Sequence, residues 1–208
     1  ATIRVAKLVK ELKGINIAAI GHTPPGFGFG RALDADIARH FGSRLESIEV
    51  RELMNLANSY AADDVSCELD EANKLLVGLD DIPKSNVTAF IRLLKAYKET
   101  IKNKDIRIVA SRCWPDFFTE YGTPVCAVLS ILNEMKIPTS CEADVYGAIS
   151  MFIGQELSCT PTYFGDPVAL SEAENTITFW HCGMAACSLA REDEGTKVSV
   201  HPNRRIGP

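Results

Sequence analysis

Ile15-Asn16-Ile17-Ala18-Ala19-Ile20, running into Gly21-His22-Thr23-Pro24-Pro25-Gly26, is the stretch that decides the fold class of this chain. A mostly apolar run of strand length meets a loop of backbone breakers, and a helix-period segment from about Arg31 to Phe41 follows. The unit recurs. Leu45 to Val50 reads as an alternating strand, and Ile106 to Ala110, Ile137 to Cys141, Pro161 to Phe164 and Thr176 to Trp180 read as further strands. Between them, Val87, Phe90, Ile91, Leu94, Tyr97 and Ile101 recur at helical spacing behind Ser85 as an N-cap. Thr123-Pro124 opens a helix from Val125 to Met135, and Val145 to Leu157 forms an apolar helix. Strands alternating with helices of this length predict an α/β fold, a parallel sheet flanked by helices. Arg51 to Gly78 is polar and helix-prone, and residues 60 to 83 are the least regular.

With 208 residues, 46% of them hydrophobic and 24% charged, the chain can bury a sizeable core. Its net charge of −5 lacks the clustered positive field that nucleic-acid binding needs. Lys95, Lys98, Lys102 and Lys104 do cluster, but near a helix end, where cations suit the dipole and solvent. Cys67, Cys113, Cys126, Cys141, Cys159, Cys182 and Cys187 are odd in number and form no Cys-x-x-Cys pair, which argues against a disulfide framework or a structural zinc site. A reducing cytoplasm is the expected location. No apolar run has the length of a membrane span, and Arg4-Val5-Ala6-Lys7-Leu8-Val9-Lys10 reads as an amphipathic helix instead of a signal peptide.

In an open parallel sheet the crevice beyond the carboxyl ends of the strands is where ligands bind. Glu142 follows one expected strand, Asp166 another and His181 a third, while His22 and Arg112 with Trp114 follow two more. Two acids meeting in such a crevice point to a divalent metal, a proton shuttle, or both. Each group also has a plainer reading. Asp144 can cap the helix behind it, and Glu142 can share that task. Asp166-Pro167 is a common turn pair, Trp114 a packing residue, and His181 either a satisfied interior histidine or a metal ligand. His40 and His201 read as surface residues. Gly26-Phe27-Gly28-Phe29-Gly30 has the wrong spacing for a dinucleotide fingerprint and follows two prolines, which offer no amide to a pyrophosphate. No Gly-x-x-x-x-Gly-Lys-Ser/Thr stretch supports ATP.

The segments Arg112-Cys-Trp-Pro-Asp-Phe-Phe118, Cys141-Glu-Ala-Asp-Val-Tyr-Gly-Ala148, Phe164-Gly-Asp166 and His181-Cys-Gly-Met-Ala-Ala186, with Gly21 to Gly26 before them, resemble the L-fucose isomerase-like group of the L-fucose/L-arabinose isomerases. The resemblance implies a Rossmann-like second domain over residues 1–150 and the beginning of a C-terminal domain over 151–208, so that the chain would be an internal piece of a longer enzyme. It implies an aldose-ketose isomerase passing a proton between C1 and C2 through an enediol, with Glu142 and Asp166 as acid and base. Those two carboxylates would also bind a divalent metal, most expectedly Mn2+, with His181 as a further ligand. Thr23, Pro24, Pro25 and Phe27 would form a substrate-side loop, and Arg112 and Trp114 would touch the sugar. The expected partner is a small sugar of the L-fucose or L-arabinose type, and the expected assembly a homo-oligomer, a hexamer by resemblance, with neither nucleic acid nor membrane involved. Two other readings stand beside it. One is a noncatalytic sugar-binding module of periplasmic-binding-protein architecture, which would need no acid pair; the other is a metal-dependent hydrolase or aldolase.

Overall fold

The computed structural model describes residues 2–199. Helix α1 (Thr2–Leu12) buries Leu8 and Leu12 on one face and leads into strand β1 (Asn16–Ile20). Helix α2 (Asp34–Phe41) ends on Gly42 in the left-handed region, the conformation a helix terminus most readily gives to glycine. Strand β2 (Arg44–Ile48), α3 (Val50–Ser59), α4 (Ser66–Leu75) and the short β3 (Leu76–Val77) follow. Helix α5 (Lys84–Asn103), 20 residues long, buries Phe90, Leu93, Leu94 and Tyr97, and β4 (Ile106–Ser111) returns to the sheet. The chain continues through α6 (Cys126–Glu134), β5 (Thr139–Ser140), α7 (Val145–Ser158), β6 (Asp166–Ser171), β7 (Thr176–Trp180) and β8 (Thr196–Lys197).

Four strands form one parallel sheet in the order β2-β1-β4-β5. Because side chains alternate across a strand, Ile17, Ile108 and Ala110 join one apolar cluster while Ala18, Ile20 and Val109 join another. The first cluster is completed by α1, α2 and α7, with Leu12, Ile37, Ala148 and Phe152. The second is completed by α3, α5 and α6, with Leu53, Phe90, Tyr97 and Leu129. The sheet is thus covered on both faces, as the alternating pattern predicted.

From β1 the chain moves outward to β2; from β4 it moves outward the other way to β5. The order reverses between β1 and β4, and their carboxyl ends open a crevice there. Gly21, at the end of β1, has φ +71°, and a Cβ in its place would lie 2.6 Å from Val50 Cγ2, so only glycine turns the chain into this crevice without a clash.

Several expectations are corrected. Pro161 to Phe164 is not a strand, and Asp166 starts β6 instead of following a strand. β6 and β7 pair antiparallel, outside the parallel sheet. The connection Glu172-Ala173-Glu174-Asn175 is too short for a helical crossover and permits only a hairpin, with Asn175 at φ 52° absorbing the turn. Val168, Leu170, Ile177 and Phe179 are all more than half exposed on this hairpin. Ser85 lies inside α5, whose N-cap is Pro83, because proline already occupies the extended position that a cap requires. The lysine cluster is not simply solvated: Lys98 reaches Glu68 at 3.3 Å and Glu71 at 2.7 Å, and Lys104 reaches Glu46 at 3.1 Å. His40 is exposed, and His201 lies outside the described residues.

Candidate functional site

At the carboxyl edge of β5 the chain takes an uncommon path. Glu142 and Ala143 both have φ 54°. A left-handed conformation costs a residue with a Cβ about 1–2 kcal/mol, and two in succession persist only where surrounding contacts hold them. They are held by the Ala143 N–H donating to the Ser111 carbonyl at 2.9 Å and the Asp144 N–H donating to the Cys141 carbonyl at 3.0 Å. Asp144 then caps α7 as expected, its Oδ1 accepting from the Gly147 N–H at 2.8 Å. With Asp144 on the cap, Glu142 is released to point elsewhere.

Its carboxylate meets three groups. Oε2 lies 3.4 Å from His181 Nε2, and Oε1 accepts from Cys113 Sγ at 3.5 Å. Cys113, Cys141 and Glu142 bring their ligand-capable atoms within 4.8 Å of one another. The Glu142 and His181 side chains are only 15% and 4% exposed, so water competes little for their contact. The Cys182 N–H donates to His181 Nδ1 at 2.9 Å. Burial opposes a charge on the imidazole, but the Cys182 side chain and Glu142 outweigh it and lift His181 to about 10. Against that lift stands the Cys182 amide, which already fills Nδ1; a single proton on Nε2, donated toward Glu142, satisfies both contacts. Cys141 is pushed well above the usual thiol range by complete burial first, with Cys113, Cys182 and Glu142 adding to the shift.

Asp166 is exposed at the head of the hairpin, its Cα opposite Trp180, the residue before His181. Its charge helps burial push the Tyr163 hydroxyl above its ordinary value, which puts Asp166 and Tyr163 in one neighbourhood. Among the described residues, the metal-capable cluster at Glu142 contains sulfur from Cys113 and Cys141 and does not contain Asp166. Phe164, two residues before the hairpin, packs on the larger core cluster with its ring centroid 5.7 Å from that of His181.

The expected sugar contacts separate into two groups. Phe27 and Trp114 meet edge to face with centroids 6.3 Å apart, and Phe27 meets Phe29 at 5.7 Å, giving an aromatic rim above the ends of β1 and β4. Arg112 is tied down, its Nε 2.6 Å from Asp116 Oδ2 and 3.1 Å from the Trp114 carbonyl. Thr23 lines a cleft of about 240 Å³ shared with His22, Arg31, Asp34 and Ala143, whereas Pro24 is buried and Pro25 exposed. A second cavity of about 100 Å³ lies beside Cys126 and Cys182, whose sulfurs are 3.9 Å apart. The strand-end rule brings Glu142 to the crevice, but spacing gives no signal for Cys113 and Cys141 meeting it; Cys113 follows β4 as Glu142 follows β5, and only strand order makes them neighbours.

As donors for a manganese-class cation, the oxygens of Glu142 and Asp166 are suited in chemistry, whereas His181 would offer Nε2 only as the tautomer protonated on Nδ1, which the Cys182 N–H opposes.

No family model matches the chain. Curated proteins do. The chain is 55% identical over 208 residues to a protein named sulfoquinovose isomerase from Clostridium sp. (strain MSTE9), covering 100% of this chain and 46% of that protein. Proteins of the same name from Alkalicoccus urumqiensis and Priestia megaterium are 38% identical over 207 residues and 36% over 206, covering 98% and 99% of this chain and 46% of each protein. The chain therefore spans about half the length of the curated relatives it matches, and it is similar to that half along nearly all of its own length.

Proposed function

We propose that this chain is part of an aldose-ketose isomerase acting on sulfoquinovose, with Glu142 as the group that moves the proton. The observation carrying this reading is the placement of Glu142: a carboxylate forced by two left-handed residues into the crevice at the sheet's reversal point and hydrogen-bonded to a buried imidazole. The similarity to proteins named sulfoquinovose isomerase supports the substrate class, and on that ground sulfoquinovose is proposed as the sugar in place of the L-fucose-like or L-arabinose-like one expected from the resemblance.

Isomerisation of an aldose needs a base that takes the C2 proton and a group that trades protons with the C1 and C2 oxygens. Glu142 suits the first task, because the His181 Nε2–H fixes the direction of its carboxylate and low exposure keeps bulk water from quenching it. Asp166, at the mouth of the hairpin, would serve the oxygens. Phe27 and Trp114 offer an apolar rim for the sugar face, and Thr23 a hydroxyl on the cleft side. A divalent cation of the manganese class would be held by Glu142 and Asp166, with His181 a ligand only in its Nδ1-protonated tautomer, and when bound it would supply polarisation of the substrate carbonyl.

The test is Glu142→Gln in the full-length protein, incubated with sulfoquinovose in deuterated solvent and followed by NMR for exchange at C2. Loss of a positioned general base should slow exchange by about 10²–10⁴-fold while circular dichroism stays unchanged. Exchange at the unmutated rate would remove Glu142 from the reaction.

A further inference from the structure

Two buried cysteines share a carboxylate at the end of the sheet, an arrangement not needed for sugar chemistry. Cys113 leaves β4 and Cys141 leaves β5, two strands paired in the sheet, so their side chains arrive on one side of the crevice. Cys113 is 3% exposed and Cys141 fully buried. In a tetrahedral site with metal–sulfur bonds of about 2.3 Å and metal–oxygen bonds of about 2.0 Å, the sulfur–oxygen edge comes to about 3.5 Å and the sulfur–sulfur edge to about 3.8 Å. The Cys113 Sγ to Glu142 Oε1 separation is 3.5 Å, and all three donor atoms lie within 4.8 Å of one another. Closing the remaining distance asks for movements of about 1 Å or less in side chains. The cavity lined by Cys126 and Cys182, whose sulfurs are 3.9 Å apart, stops one side chain short of the site, at Cys182, which borders Cys141.

We propose that Cys113, Cys141 and Glu142 form a binding site for a thiophilic divalent cation of the zinc and cadmium class, with a fourth position left to water or a small ligand. Two sulfurs and one oxygen favour such a cation over a hard one, which prefers oxygen throughout. The Cys-x-x-Cys criterion misses the site, because the ligands come from two strand ends and meet only through the order of the sheet. Binding would release the protons of both thiols. It would also occupy Glu142, so the cation would act as an inhibitor; that consequence alone rests on the isomerase reading.

The experiment is a cadmium titration of the purified, reduced chain carrying Cys67→Ser and Cys159→Ser, which removes the two exposed thiols. Binding is followed by the sulfur-to-cadmium charge-transfer absorption. One equivalent should saturate the signal, and Cys113→Ser or Cys141→Ser should each weaken binding at least tenfold, whereas Cys187→Ser should not. X-ray absorption of the loaded chain carrying Cys126→Ser as well, which breaks up the second sulfur pair, should still show two sulfurs with lighter atoms in the first shell. Absence of a saturable signal, undiminished affinity in folded Cys113→Ser or Cys141→Ser chains, or a first shell without two sulfurs would overturn the site. Because none of these measures sugar turnover, their outcome is independent of the Glu142→Gln exchange assay.

Discussion

Replacing an interior helical glycine by alanine ordinarily stabilises a helix by roughly 1 kcal/mol, but at Gly147, in the first turn of α7, the surroundings reverse the expected sign. A Cβ there would lie 2.5 Å from Phe164 Cε2 and 2.8 Å from Asp144 Oδ2. Ordinary carbon contacts begin near 3.5 Å, so the Phe164 ring would have to retreat by about 1 Å. It cannot do so freely, since it packs on the larger core cluster and faces His181. Overpacking of this kind costs about 1–3 kcal/mol, and disturbing the Asp144 cap adds up to about 1 kcal/mol. After subtracting the helical gain, Gly147→Ala should lose up to about 3 kcal/mol, a fall in melting temperature of up to roughly 12 °C for a chain of this size. Ser150→Ala in the same helix is the control. Ser150 is exposed and bonds back to the Tyr146 carbonyl at 2.8 Å, an arrangement that slightly weakens helices, so its replacement should raise the melting temperature by a degree or so. Thermal and urea unfolding of both variants decide the matter. A Gly147→Ala chain that melts above the unmutated one would refute the tight packing of Phe164 between α7 and His181.

Asn133 is buried and binds the Thr139 N–H and carbonyl and the Met184 carbonyl at 2.7–3.0 Å, so Asn133→Ala should cost about 2–4 kcal/mol in urea unfolding; a loss below about 1 kcal/mol would contradict a bridge between α6, β5 and the His181 segment. Ser43→Ala removes the buried hydroxyl that donates to the Leu12 carbonyl at 2.6 Å and should cost about 1–3 kcal/mol, read as a lower urea midpoint with unchanged slope, and no shift would mean that water replaces the hydroxyl. Burial lifts the Tyr121 hydroxyl to about 12 and those of Tyr60 and Tyr97 further. A folded value above the unfolded value near 10 means that the folded state holds the proton more tightly, so this stabilisation is whole below about pH 10 and fades as pH rises through about 12. Tyrosinate absorbance should therefore show fewer of the five tyrosines ionising near pH 10 in the folded chain than in urea; five ionising together in both would sink the burial argument.

The mostly apolar runs ending at Gly21 and Arg112 make the parallel sheet legible, because a strand buried on both faces leaves an apolar trace, whereas Ile137-Pro-Thr-Ser-Cys141 before Glu142 is only partly apolar and keeps two strand residues, Thr139–Ser140. The Asp144 cap was equally legible, since capping depends on one residue and its next turn. The hairpin was not. Thr176 to Trp180 has the composition of a strand in either direction, and its antiparallel partner was masked by Pro167 and by an exposed apolar face that resembles a core strand. Glu142 was found by its position after a strand, but its left-handed backbone was hidden, because Glu-Ala carries none of the glycine or asparagine that usually marks positive φ. The meeting of Cys113 with Cys141 depends on β4 and β5 being neighbours, a fact of strand order that no local window contains.

The bare apolar face of the β6–β7 hairpin bears on how the chain can be handled. Leu170 is 70% exposed and Ile177 57%, on two strands that both have an unpaired edge among the described residues. Such a ribbon is a template for sheet growth between molecules, so concentrated samples of the chain by itself should cloud from this end first. Leu170→Lys would place one charge on the ribbon without entering either core cluster and without facing a like charge across the strands, which keeps material in solution for the cadmium and unfolding measurements.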